Sequence, residues 1–200
     1  MALYTGWTLT IKPQRASSYI PTPEKYSNPK CGLINIKNND QECFRWCMKY
    51  HQSDKVKHSN RTTVLDKMAD KYIYNISYPT TFEDIDRFEI DNQVSVFVYY
   101  ICDDGSIRTE KRGNPDYILN DVVYLLRIEN DDKAHYIYIK YIERLFHTHV
   151  SSKTAGTKFC PLCAKNADDK EYRNHLSKCY KFGEEGSLLK LPEEGATMKF

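Results

Sequence analysis

FCPLCAKNADDKEYRNHLSKCYKF, residues 159–182, decides how the C-terminal part of this chain folds. Cys160 and Cys163 are separated by two residues, the spacing of a tight knuckle whose sulfurs converge on one ion. His175 and Cys179 stand four positions apart, so on a helix they project from one face, a turn apart. Three thiolates and one imidazole complete a tetrahedron, the closed arrangement of a structural zinc site. The spacing predicts a helix here: Asp168 and Asp169 are good N-cap and first-turn residues, and Glu171–Ser177 holds neither Gly nor Pro. Phe159, Tyr172 and Leu176 supply a small apolar core. The expected cofactor is therefore Zn²⁺, held by Cys160, Cys163, His175 and Cys179 in a finger spanning 158–182, with no small-molecule cofactor.

The charge of the finger leaves its partner open. Six basic residues (Lys158, Lys165, Lys170, Arg173, Lys178 and Lys181) face three acidic ones (Asp168, Asp169 and Glu171). Zn²⁺ with three thiolates subtracts one further charge. A single finger grips few phosphates, so DNA binding by it alone is expected to be weak and salt-sensitive. The same surface suits a protein partner equally well.

Upstream, residues 151–157 are small and polar and read as a linker, and 31–150 read as one α+β domain. VSVFVYYI (94–101) is the clearest strand. The Asp103-Asp104-Gly105 turn and a return strand over 106–110 make it a hairpin. Asn120–Ile128 and Ala134–Tyr141 predict a second hairpin, followed by a short helix at Ile142–His147. Ahead of these strands, a short strand at Leu33–Ile36 leads to a helix from Gln41 to His51. Val64, Leu65, Met68 and Tyr72 have helical spacing over 62–75. Thr80–Glu83 reads as a capping box opening a helix to Asn92, with Phe82, Ile85 and Phe88 inward. Helices followed by hairpins imply an antiparallel sheet in an α+β fold. Four prolines among residues 1–30 suggest an extended arm.

Composition bounds the function. With 200 residues, 40% hydrophobic, the chain can bury a sizeable core, and its net charge of +2 gives no strong overall attraction to nucleic acid. Three of the seven cysteines belong to the proposed zinc site and the other four (Cys31, Cys43, Cys47 and Cys102) show no paired disulfide spacing; with a start lacking the apolar stretch of a signal peptide, this suggests an intracellular protein with free thiols, nuclear or cytoplasmic. No apolar run reaches membrane-spanning length, so no membrane partner is expected.

Cys43 falls at the start of the Gln41–His51 helix, where unpaired N–H groups favour a thiolate. His135 lies in the strand HYIYIKY. Together they supply the parts of a thiol protease, a nucleophile on a helix tip and a base on a sheet. The order, Cys first and His about 90 residues later, is that of papain-like enzymes. Cys43 and Cys47, one turn apart, also read as small apolar residues on the inner face of the helix. His147 and His149 read as a solvated linker edge.

Several blocks in order, GLINIKNNDQECFRWC (32–47), YPTTFEDIDRFEIDNQVSVFVYYI (78–101), HYIYIKYIERLF (135–146), the finger, and LPEEGATMKF (191–200), resemble one known arrangement. They are similar to the region just upstream of the polymerase domain in protein-primed family B DNA polymerases of Polinton/Maverick transposons and related viruses. The resemblance implies an N-terminal accessory module for DNA replication, with residues 183–200 leading toward a polymerase domain and no polymerase carboxylate motifs within this chain. DNA and replication proteins are the partners it implies. The upstream domain also resembles ovarian-tumour-type (OTU) cysteine proteases, which carry Asp-Gly-Asn-Cys at the nucleophile and His-Tyr-Asp/Asn at the base. Here Asp40, Cys43 and His135-Tyr136 match, whereas Gln41 replaces Gly and Ile137 takes the polar position that orients the imidazole. That likeness implies Cys43 as nucleophile, His135 as base and Asp40 at the oxyanion pocket, acting on ubiquitin-like conjugates or the element's own polyprotein. A non-catalytic interaction domain of a decayed element is the alternative.

Overall fold

In the computed structural model, which describes residues 19–53, 58, 60–130, 133–146, 157–163, 165–168 and 170–184, the chain forms two compact units, Met1–Thr148 and His149–Phe200. No described helix is long and apolar enough to cross a membrane.

The first unit is organised by strand β2 (Ser95–Ile101), whose run of apolar residues supplies side chains to both faces of a sheet. On one face Val96 and Val98 join a core made with Phe44, Cys47 and Met48 of α1 (Cys43–Gln52) and Ile85 and Phe88 of α3 (Phe82–Asn92), with Leu65 of α2 (Thr62–Leu65). On the other face Tyr99 meets Phe146 of α4 (Ile142–Phe146), ring centres 5.4 Å apart. Five strands form the sheet in the order β1-β5-β4-β2-β3, where β1 is Leu33–Ile34, β3 Ile107–Lys111, β4 Val122–Asn130 and β5 Lys133–Ile139.

The sheet is mixed, whereas the hairpin pattern implies an antiparallel one. Both hairpins form, but β4 lies beside β2 and parallel to it, with Val96 opposite Val123 and Val98 opposite Leu125. The reason lies in residues 112–121, which carry the chain from the far edge across β2 before β4 begins. Gly113 makes that crossing at a distance no side chain allows: a Cβ there would sit 2.7 Å from a carbon of the Phe97 ring and closer still to Ser95 Oγ. Glu89 of α3 anchors the crossing. Its buried carboxylate accepts from Asn114 N at 2.8 Å and from Lys111 Nζ at 2.8 Å, and also from Val96 N.

Three local expectations shift. The α3 cap is Thr81, not Thr80: Thr81 Oγ1 accepts from Asp84 N at 3.1 Å, and Asp84 Oδ2 accepts from Thr81 N at 3.1 Å. The helix expected over 62–75 ends at Leu65, because the buried Lys49 ammonium takes Leu65 O at 3.4 Å and Met68 O at 3.0 Å and turns the chain toward its ion-pair partner Asp70. Within the expected arm, residues 19–30 are docked on the body. Ile20 and Tyr26 are buried, and Tyr26 Oη donates to Gly105 O at 2.7 Å. Residues 1–18, His147, His149, most of the linker and residues 185–200 lie outside the described residues.

The second unit is a hairpin followed by a helix: β6 (Thr157–Cys160), β7 (Lys165–Asp168) and α5 (Tyr172–Glu184). The helix begins later than the Asp168-Asp169 signal predicts. Asp168 pairs with Thr157 across the hairpin, so the chain stays extended through that position and turns helical after Glu171.

Candidate metal centre

The hairpin of the second unit tightens at Pro161–Cys163, which brings Cys160 at the end of β6 and Cys163 in the turn toward α5. Four residues apart on that helix, His175 and Cys179 complete the group. One ligand atom from each of Cys160, Cys163, His175 and Cys179 lies within 4.8 Å of all the others. His175 Nε2 is 3.5 Å from Cys163 Sγ and 3.2 Å from Cys179 Sγ. A tetrahedral Zn²⁺ with Zn–S of about 2.3 Å and Zn–N of about 2.0–2.1 Å requires S···N separations of about 3.5 Å. The donor set and its spacing therefore fit a metal ion such as zinc.

Burial adds to the argument. Cys160 is fully buried, and the withdrawal of its thiol from water pushes it up to about 12, with the backbone N–H groups at Cys163 and Leu162 acting in the opposite direction. A cation at the cluster centre would reverse that preference and hold the sulfurs as thiolates. Around the cluster, Phe159 and Leu176 are buried, and Tyr172 Oη donates to Phe159 O at 2.8 Å, tying the helix to the first strand. This is the small core anticipated for the finger.

The proposed thiol–imidazole pair is placed differently. Cys43 does open α1, but its thiol is buried and pushed up to about 12, chiefly by desolvation. The Asp40 carboxylate raises it further, while backbone N–H groups at Tyr136 and Phe44 act in the opposite direction. His135 is also buried. Along β5 the side chains alternate, and Ala134 and Tyr136 belong to the core under α1, so His135 faces the opposite side of the sheet. There its Nε2 lies 2.9 Å from Asn35 Oδ1, and the Tyr19 ring stands edge-on at 5.8 Å. Asn35, not residue 137, thus positions the imidazole. No hydrogen bond joins Cys43 to His135.

Asp40 has a fastening role at the start of α1. Its carboxylate accepts from Glu42 N at 2.9 Å, Asn38 Nδ2 at 2.9 Å and Trp46 Nε1 at 3.0 Å. With these donors in place it behaves as a local cap, and the oxyanion role implied by the resemblance gains no support from its contacts.

A different trio comes together at the other end of α1. His51 bridges Asp121, just ahead of β4, and Tyr138 of β5, at 2.8 Å on each side. The sequence reading passed over His51, yet a signal existed. Cys43, Cys47 and His51 repeat every four residues and share one helix face, and Tyr136 and Tyr138 share one strand face.

Comparison of the chain with known protein families, with curated proteins and with solved structures finds no match.

Proposed function

We propose that this chain is a zinc-stabilised accessory module that contacts nucleic acid through its finger, of the kind that precedes the polymerase domain in transposon and viral family B DNA polymerases. The observation carrying the reading is the Cys160–Cys163–His175–Cys179 cluster set between a hairpin and a helix. In fingers of that element order the helix is what enters the major groove. Among the described exposed side chains of this unit, Lys158, Lys170, Arg173 and Lys178 face only Glu171 of opposite sign. Asn174, on the helix face away from the metal ligands, carries a side-chain amide of the type that pairs with adenine.

Contact with few phosphates makes the affinity modest and steeply dependent on salt. With two to four phosphates engaged, the slope of log affinity against log salt is about −2 to −4 for duplex DNA, at roughly −0.9 per phosphate. The test is fluorescence anisotropy of labelled duplex and single-stranded oligonucleotides over a salt series, with the zinc-loaded chain, a chelated sample, and the double variant Arg173→Ala/Lys178→Ala. The reading expects binding lost on chelation, and weakened with a shallower slope in the variant. Binding that survives chelation unchanged, or no binding at low salt by the loaded chain, rejects it. Thiol hydrolysis finds less support, because burial holds the Cys43 thiol protonated and, among the described residues, it makes no hydrogen bond to an imidazole.

A further inference from the structure

In the last turn of α1, His51 stands between an acid and a phenol. Its Nε2 is 2.8 Å from Asp121 Oδ1 and its Nδ1 is 2.8 Å from Tyr138 Oη. A carboxylate only accepts hydrogen bonds, so Nε2 carries the proton. In the neutral ring Nδ1 is then an acceptor, and the Tyr138 hydroxyl donates to it. Asp121 is firmly ionised, held down to about 2 by its bond to His51, with help from Tyr72 Oη at 2.9 Å and the Lys71 ammonium at 3.5 Å. Tyr50 packs beside Tyr138, ring centres 5.0 Å apart. The side chains of His51 and Asp121 are 17% and 32% exposed, and Tyr138 beside them is partly buried against the core.

We propose that Tyr138, His51 and Asp121 form a nucleophile, base and positioning group that make Tyr138 a site of covalent modification by activated acyl donors. The arrangement has the logic of an activated nucleophile: a hydroxyl within hydrogen-bond reach of a base, and that base held by a third group. In the step, Tyr138 Oη attacks the acyl carbon. The O–C bond forms, the bond to the leaving group breaks, and the leaving group departs with its electron pair. The phenol proton passes to His51 Nδ1, and the imidazolium so formed rests against the Asp121 carboxylate. Burial, with Tyr50, Cys47 and Asp121 acting in the same direction, makes the Tyr138 hydroxyl a weaker acid than a free phenol, so its reactivity depends on the base. The inference is independent of the finger.

An aryl sulfonyl fluoride serves as the probe, its sulfur taking the place of the acyl carbon and fluoride leaving. Peptide mass mapping is expected to place the adduct on Tyr138 ahead of Tyr141, which is 40% exposed. His51→Ala is expected to slow labelling of Tyr138 by about 100-fold, and added imidazole to restore part of the rate. His51→Gln repeats the loss if the alanine variant fails to fold by circular dichroism. Asp121→Asn is expected to slow labelling and Asp121→Glu to retain most of it. Labelling of Tyr141 as fast as Tyr138, a rate indifferent to His51 in a folded variant, or no rescue by imidazole would overturn the proposal.

Discussion

Stripping the metal from the second unit is the perturbation whose outcome follows most directly from the geometry. The buried apolar residues of the finger are chiefly Phe159 and Leu176, and full burial of two such side chains contributes roughly 3–6 kcal/mol. A structural Zn²⁺ in a finger of this kind contributes about 10–16 kcal/mol at neutral pH. The ion is therefore the larger share, and 157–184 should not hold its fold without it. The first unit draws its core from residues such as Phe44, Phe88, Val96 and Leu125, none of which is a ligand. Amide hydrogen exchange read by mass spectrometry, with and without a tight zinc chelator, separates the two. Peptides covering 157–184 should exchange like unstructured chain after chelation, while those covering β2, β4 and β5 keep their protection. Cys179→Ser should mimic chelation, and His175→Cys, which keeps four ligands, should not. Protection of the finger that persists without metal, or loss of protection in both units together, would refute the reasoning.

Acid and alkali should act on different parts of the first unit. Asp121 is depressed from 3.8 to about 2 in the fold, so its contribution is present above about 3.8 and fades as pH falls toward 2. Asp121→Asn should cost roughly 2 kcal/mol at pH 7 and converge with the parent near pH 2, by urea titrations at each pH. Cys43 shifts the other way, from 9.0 to about 12. Its contribution is complete below about 9 and declines as pH rises toward 12; the parent should lose stability over that window, and Cys43→Ala should lose less of it. At pH 8 the Cys43 thiol should resist iodoacetamide until the chain is denatured. Thr81→Ala should lower the urea midpoint by the equivalent of about 1 kcal/mol, as loss of an N-cap does. Thr80→Val should be nearly neutral, since the buried Thr80 Oγ1 has no hydrogen-bond partner.

The metal cluster was legible because its information is local. Two short spacings and a run without helix breakers define it, and the structure closes all four donors around one point. The strands were legible for a similar reason, since Val94–Ile101 and Ala134–Tyr141 have no helical period to compete with. The parallel seam between β2 and β4 was not. Hairpin turns announce antiparallel neighbours, whereas the crossing through Gly113 and Asn114 is specified by what it packs against. The Thr80/Thr81 ambiguity has the same origin, because TTFED offers two caps and only Asp84 at the third helical position distinguishes them. Cys43 and His135 mislead in a different way. Each sits on the expected kind of element, but a single-residue alternation along β5 decides which side of the sheet an imidazole faces. The strand sequence HYIYIKY is apolar enough on both sides to leave that choice to the rest of the fold.

The route through residues 112–121 has a mechanical consequence. Strands 95–111 and 122–139 are each self-contained ribbons of neighbouring residues, and the β2–β4 seam is where they meet edge to edge. Ser95 and Ile139, where the first ribbon begins and the second ends, lie at the same end of that seam, so pulling the chain from both ends would peel its slanted parallel bonds open one after another. Severing the crossing would leave the β4–β5 ribbon with one edge that fits β2 and another that fits β1, both on the other fragment, so a split version of this unit should reassemble from its halves.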